Sequence, residues 1–275
     1  MRYDPTLAAL LKPGLGPLLD AGLFAGKPDA LCAELARLVY FDFAARRADL
    51  DTALAAHGLT RAELISGKRF PAQTEVLIAT AADGTAYVVF RGTQSLRDFL
   101  SDIAAWRTGW SGRQRVHWGF AQAYRVVKSQ LDEWCRDNQA MRLVATGHSL
   151  GGALATLFAS DHAGAELVTF GSPLVGNAAF AASFAERQVR RYRDCADLVA
   201  RVPYGWLGFC HVAPPNYFDR HGKPQPETAI AADVAAARAE YRQRYRHIKR
   251  KVPLRDGADH APINYVSALL GLREA

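Results

Sequence analysis

The stretch Gly147-His148-Ser149-Leu150-Gly151 constrains this chain more than any other. Arg142-Leu143-Val144-Ala145-Thr146 before it reads as a buried strand, and Gly152 to Ala159 after it reads as a helix. A G-x-S-x-G sequence between a strand and a helix forms a sharp turn. Small residues on either side let that turn close, and it holds the serine Oγ clear of the backbone. The N–H of Leu150, at the start of the helix, then points where an oxyanion would form. Acyl transfer through a covalent serine ester is the chemistry that such a turn serves, so cleavage of esters is the expectation.

The rest of the chain supplies a scaffold of the right kind. Glu75 to Thr80 and Ala86 to Arg91 read as strands about an Asp83-Gly84 turn. Ala165 to Gly171 and Val189 to Cys195 read as further strands. Helices are expected over Leu96–Ala105, Phe120–Asn138 and Asn177–Arg187, and upstream over Ala30–Arg47 (capped by Asp29), Leu50–Ala56 and Arg61–Ile65. Residues 1–30 are expected to pack as short helical turns. Strands that alternate with helices predict an α/β fold, with a mostly parallel central sheet and helices on both faces. Catalytic groups on such sheets sit at the carboxyl ends of strands, which is where Ser149 falls.

Composition narrows the partners. The chain has 275 residues, 49% of them hydrophobic, enough for a sizeable core in a single domain. No apolar run is long enough for a membrane span. Met1-Arg2-Tyr3-Asp4-Pro5 carries an acid and a proline and opens no continuous apolar region, so it does not read as a signal peptide. A cytoplasmic location is therefore the expectation, with export by another route or a removed leader left open. The formal net charge of +7 favours approach to anionic surfaces. The arginines are mostly spread along the chain and no nucleic-acid-binding motif is present, so no nucleic-acid partner is expected. Cys32, Cys135, Cys195 and Cys210 have no C-x-x-C spacing, so no metal site is expected and free thiols are the default, with a Cys195–Cys210 bridge left open.

A serine hydroxyl needs a base, and the base needs an orienting acid. On this scaffold the order along the chain is serine, acid, histidine. Among the histidines after Ser149, His162 lies on the helix that follows the turn, too close to fold back over it, and His247 sits in a basic helix. His260 follows a Gly-Ala-Asp turn and precedes an apolar helix, so it sits on a loop able to reach Ser149. It is the preferred base, with His211 as runner-up. Asp197, just past the end of the Val189–Cys195 strand, is the preferred acid, and Asp194 is expected to be a structural or surface charge.

Several blocks together resemble the class 3 (fungal-type) lipase family of the α/β-hydrolase fold. Phe90-Arg91-Gly92-Thr93-Gln94-Ser95 matches F-R-G-S/T-x-S, and His117 to Tyr124 matches H-x-G-F-x-x-A-Y. Thr146 to Ala153 matches T-G-H-S-L-G-G-A, and Thr169 to Asn177 matches T-F-G-x-P-x-V-G-N. Asp197-Leu198-Val199 with Pro203 resembles the acid block, and Asp259-His260 with Tyr265 the histidine block. These run in family order from about Glu75 to Val266. The resemblance implies a triad of Ser149, Asp197 and His260. It also implies an oxyanion hole from the N–H groups of Thr93 and Leu150, and a short helical lid over 95–106. Leu96, Phe99, Leu100 and Ile103 would line that lid and the acyl pocket. Leu174 departs from the arginine or lysine that many relatives carry there.

Taken together, the chain reads as one α/β-hydrolase domain over 1–275, with a helical segment over 1–70 packed on it and a basic helix over 228–250 beside the site. Ile230, Val234, Ala237, Tyr241, Tyr245 and Ile248 mark one face of that helix, and arginines and lysines dominate the rest. The implied activity is hydrolysis of acylglycerols, with no cofactor and a lipid or ester substrate as the partner. Phospholipase A1 or a short-chain or feruloyl-type esterase is the alternative within hydrolases. A non-catalytic relative that binds lipid or protein through the same cleft is the alternative outside them.

Overall fold

The structure is a computed structural model, and it describes residues 3–43, 45–69, 72–93, 106–138 and 141–273. Its strands are β1 (Leu59–Arg69), β2 (Ala72–Ala81), β3 (Thr85–Phe90), β4 (Arg107–Gly109), β5 (Arg115–His117), β6 (Arg142–His148), β7 (Glu166–Phe170), β8 (Val189–Asp194), β9 (Pro215–Phe218) and β10 (Pro224–Gln225). Eight of them form one sheet in the order β1-β2-β3-β6-β7-β8-β9-β10, while β4 and β5 pair as a separate ribbon. Neighbours from β3 to β9 run parallel, and the pairs at the two edges are antiparallel.

Alternation along the strands puts consecutive apolar residues on opposite faces of the sheet. Val76, Ile78, Val88 and Phe90 pack on one face against α4 (Trp118–Asp137) and α5 (Leu150–Asp161). Leu77, Ala79 and Val89 pack on the other, with Leu35 and Leu38 of α2 (Pro28–Leu38) and Leu50 and Leu54 of α3 (Arg47–Ala56). Further along that face, Val144, Val168 and Phe170 meet α2 and Tyr265 and Val266 of α9 (Pro262–Leu269). The remaining helices are α1 (Leu7–Leu11), α6 (Ala178–Ala182), α7 (Ile230–Arg244) and α8 (Arg255–Ala258).

Several expectations need correction. The helix foreseen over Ala30–Arg47 ends at Leu38, and its first residue follows Lys27 with no side-chain cap from Asp29. The chain then turns so that Tyr40 and Phe41 enter the core. Arg61–Ile65 is not helical: it lies within β1, which pairs with β2 almost from end to end. The helical N-terminal segment therefore stops at Ala56 instead of reaching residue 70. Helix α6 covers only the first part of Asn177–Arg187, although Asn177 does cap it, accepting from Phe180 N–H at 3.0 Å. The basic helix is shorter than 228–250, ending at Arg244. The expected lid residues Leu96, Phe99, Leu100 and Ile103 lie outside the described residues.

Both ends of the described chain meet beneath the carboxyl ends of the strands. Tyr3 donates to Asp259 Oδ1 at 2.7 Å, and the Arg273 guanidinium lies over the Tyr3 ring. Asp194, expected as a structural or surface charge, is fully buried and bidentately paired with Arg273, with Nη1 at 2.8 Å from Oδ1. The four cysteines are free, which closes the question of a Cys195–Cys210 bridge. Among the described residues, no helix is long and apolar enough to cross a membrane.

Candidate active site

Ser149 stands at the end of β6 with φ 59° and ψ −130°, and α5 starts at the next residue. A non-glycine residue at positive φ costs on the order of 1–3 kcal/mol and persists only where its surroundings over-determine it. Here Ser149 N–H donates to Phe170 O at 3.0 Å, and Ser149 O accepts from Gly152 N–H at 3.0 Å. Gly151 makes the turn possible. A Cβ there would lie 2.1 Å from the Phe90 carbonyl oxygen, so the end of β3 and the start of α5 approach as closely as they do only with glycine. The Leu150 N–H, first in α5, has no acceptor within the helix and is aligned with its dipole.

Asp197 and His260 reach this place from separate loops. Asp197 follows β8, and His260 lies between α8 and α9. His260 Nδ1 is 3.0 Å from Asp197 Oδ1 and 2.9 Å from Oδ2. Asp197 Oδ1 also accepts from Val199 N–H at 2.8 Å, and Oδ2 from the Tyr265 hydroxyl at 2.5 Å. Burial alone would raise the Asp197 pKa. The electrostatic attraction to His260 and the hydrogen bonds from His260 and Tyr265 outweigh it, holding this carboxyl below the usual range. Because Asp197 is a carboxylate, Nδ1 is the protonated nitrogen of His260, which leaves Nε2 as the basic atom.

A second imidazole fixes the backbone of the first. His148 Nε2 donates to the His260 carbonyl at 2.7 Å, and the two rings stand 4.4 Å apart. Burial and the neighbouring His260 push the His148 pKa well below the ordinary value, so His148 is neutral. With Nε2 donating, Nδ1 must accept, and the Tyr40 hydroxyl at 3.1 Å is its donor. The sequence reading assigned no part to Tyr40 or His148 and left Tyr265 inside the histidine block. Only the position of His148 beside the serine signals it locally.

Ser149, His260, Thr93 and His148 line one small pocket. Among the described residues, no hydrogen bond joins the Ser149 hydroxyl to His260, and in resting sites of this kind that contact is often long until substrate binds. The rival residues lie elsewhere. His211 lines no part of this pocket and holds the Ala200 carbonyl at 2.8 Å, with burial and Arg191 pushing its pKa down to about 3. His162 lies 3.3 Å from Asp132. The Asp194 carboxylate is committed to Arg273, while its backbone touches the site twice: its N–H donates to the Tyr265 hydroxyl at 3.1 Å and its carbonyl accepts the Asp197 N–H at 2.8 Å.

Residues 87–206, which contain the turn at Ser149 and the loop of Asp197, match the lipase (class 3) family. That stretch of the chain is thus similar to the class 3 lipases. A lipase of Rhizomucor miehei is 31% identical to it over 180 residues, which cover 58% of this chain and 49% of the relative. Secreted mono- and diacylglycerol lipase A of Penicillium cyclopium is 31% identical over 159 residues, covering 54% and 51%. The chain thus spans about half the length of these relatives. A solved triacylglycerol lipase whose catalytic centre is formed by a serine protease triad superposes with a TM-score of 0.60 at 25% identity, over 71% of this chain and 80% of that one. The sheet and its flanking helices are accordingly those of the α/β-hydrolase fold of the fungal lipases.

Proposed function

We propose that the chain is a serine carboxylic-ester hydrolase that acts on acylglycerols, with Ser149 as nucleophile, His260 as base and Asp197 as its orienting acid. The observation that carries this reading is the buried contact between His260 Nδ1 and both Asp197 oxygens, with His260 lining the same pocket as a serine held at positive φ. A histidine so held presents Nε2 as a proton acceptor. Ser149 Oγ attacks the ester carbonyl while Nε2 takes its proton, and the oxyanion is held by the N–H groups of Thr93 and Leu150. The protonated imidazole returns the proton to the departing alcohol. Water, deprotonated by the same nitrogen, then attacks the acyl-serine and releases the fatty acid. These steps use no metal and no organic cofactor. The names of the Penicillium relative and of the solved triacylglycerol lipase favour acylglycerols among esters.

We read residues 1–275 as one domain. Tyr3 and Arg273 meet from opposite ends of the sequence, and α7 packs Val234 and Ala237 on Cys195 and Ala196, just ahead of Asp197. The test of function is Ser149→Ala. It should abolish hydrolysis of p-nitrophenyl butyrate and labelling by a fluorophosphonate while leaving the circular dichroism spectrum unchanged. Undiminished hydrolysis by the folded variant would overturn the mechanism.

A further inference from the structure

The pocket at Ser149 is nearly full. It encloses about 10 Å³, and Ser149 and His260 are each 2% exposed. That is room for roughly one water molecule and for no ester. Two of its lining residues, Leu10 and Pro13, come from the N-terminal segment. Pro13 also lines, together with Tyr40, an adjacent groove of about 760 Å³ whose walls include Phe43, Leu64 and Ile65. Pro13 and Tyr40 are therefore the partition between the closed pocket and a groove large enough for an acyl chain.

The segment is tied at both ends, and between them only Pro13 is buried. At its start, Leu7 N–H donates to Arg250 O at 2.8 Å, Val252 N–H donates to Pro5 O at 2.8 Å, and the Asn264 amide pairs with the Asp4 backbone at 2.8 and 2.9 Å. At its far end, Arg46 Nη1 donates to Gly14 O at 3.1 Å. Between these ties, α1 is 5 residues long and contains no fully buried residue. A helix that short has little stability of its own, and such lightly packed segments open first. Its outward residues are apolar and cationic: Leu11 and Lys12 are exposed, and Leu15 is 74% exposed. Beside its start, Arg246, Lys249 and Arg250 are exposed and make no ion pair among the described residues. Apolar side chains flanked by unpaired cations fit the surface of an anionic lipid layer.

We propose that residues 7–15 form a lipid-docking strap: Leu11, Lys12 and Leu15 seat on an anionic lipid surface, and docking withdraws Leu10 and Pro13 from Ser149 and joins its pocket to the groove beyond Tyr40. The proposal rests on the reading of Ser149 as nucleophile for its effect on chemistry, though not for docking itself.

Docking is read by co-sedimentation with phosphatidylcholine vesicles, with and without phosphatidylglycerol. The wild-type chain should bind the anionic vesicles, and Leu11→Gln/Leu15→Gln, altered only at exposed positions, should not. Opening is read by the rate at which a fluorophosphonate labels Ser149. Anionic vesicles should speed wild-type labelling at least about tenfold, as for a closed state that outnumbers the open one by that factor. Leu11→Gln/Leu15→Gln should keep the buffer rate and lose the acceleration. Leu10→Ser/Pro13→Ser, with Leu10→Ala as the milder variant, should label fast in buffer alone. Equal vesicle binding by wild type and Leu11→Gln/Leu15→Gln overturns the strap, as does a labelling rate that is the same for every variant in every medium. Normal vesicle binding with no labelling of any folded variant would strike the nucleophile instead, and with it the coupling of docking to chemistry.

Discussion

The Tyr265 hydroxyl donates a 2.5 Å hydrogen bond to Oδ2 of Asp197, a carboxylate that has no exposure to solvent. The same hydroxyl accepts the Asp194 N–H, so one phenol joins α9 to the loop that carries the acid. Tyr265→Phe removes this donor and leaves the rest of the ring in place. Hydrogen bonds to charged groups are worth about 1.5–3 kcal/mol, and urea unfolding should show a loss in that range. Because Asp197 would then hold His260 less firmly, kcat for p-nitrophenyl butyrate should fall about tenfold, the equivalent of ~1.4 kcal/mol, with KM little changed. An unaltered kcat would show that Tyr265 serves folding alone.

Arg273 and Asp194 form a buried pair near the C-terminal end of the chain. Arg273→Ala strands a carboxylate in the interior, and breaking a buried pair from one side costs about 3–5 kcal/mol. Replacing both partners, as in Asp194→Leu/Arg273→Met, should cost less than the single change. Denaturant midpoints of the two variants check this, and the reverse order would contradict it.

Gly151 is expected to be intolerant of a single methyl group. With the Phe90 carbonyl 2.1 Å from the added carbon, Gly151→Ala must push the end of β3 away from α5. Overpacking of this kind costs about 1–3 kcal/mol. It also moves Thr93, three residues beyond Phe90, so kcat should fall more than stability alone explains. Gly164→Ala is the control, since nothing lies within 4 Å of its added carbon. Thermal unfolding and p-nitrophenyl butyrate kinetics on the two variants separate the outcomes.

Acid should weaken the fold before it protonates most carboxylates. Burial pushes the His211 pKa down to about 3, with Arg191 adding to it, and burial and the nearby His260 push His148 well below the ordinary value. In the unfolded chain both titrate near the ordinary value of about 6.5. Below that pH the unfolded chain binds more protons than the folded one. Stability that is complete above about pH 6.5 is therefore lost as the pH falls, by up to ~1.4 kcal/mol per pH unit for each ring. Urea midpoints at pH 7, 6 and 5 should fall in that order. His211→Gln, which can still donate to the Ala200 carbonyl, should give a shallower decline. An identical slope would remove His211 from the account.

What the sequence made legible was local. The turn at Ser149 could be read because strand, glycines and helix are adjacent in the chain, and the Asp83-Gly84 turn could be read for the same reason. Arg61-Ala62-Glu63-Leu64-Ile65 looks helical by composition, yet its antiparallel pairing with Val76 to Thr80 of β2 makes it a strand, a case of tertiary context overriding propensity. The helix read through Val39 and Phe43 was drawn too long because apolar spacing continues where the chain has already turned into the core. Tyr40, His148 and Tyr265 could not be assigned their parts from the sequence, since each acts on a residue brought near only by folding. The pairing of Asp194 with Arg273 was equally hidden, so the sequence left open whether Asp194 is a structural or a surface charge.

Strand β1 lies at the rim of the eight-stranded sheet and is 11 residues long. A rim of that length is a template on which another molecule could add a strand of its own. Arg61, Lys68 and Arg69 are exposed along it, and Arg61 pairs with Glu63 at 2.8 Å. These charges make β1 a guarded border, and the cost of losing them would fall on solubility instead of catalysis. A chain with valine in place of Arg61, Lys68 and Arg69 should still turn over ester and yet cloud on concentration.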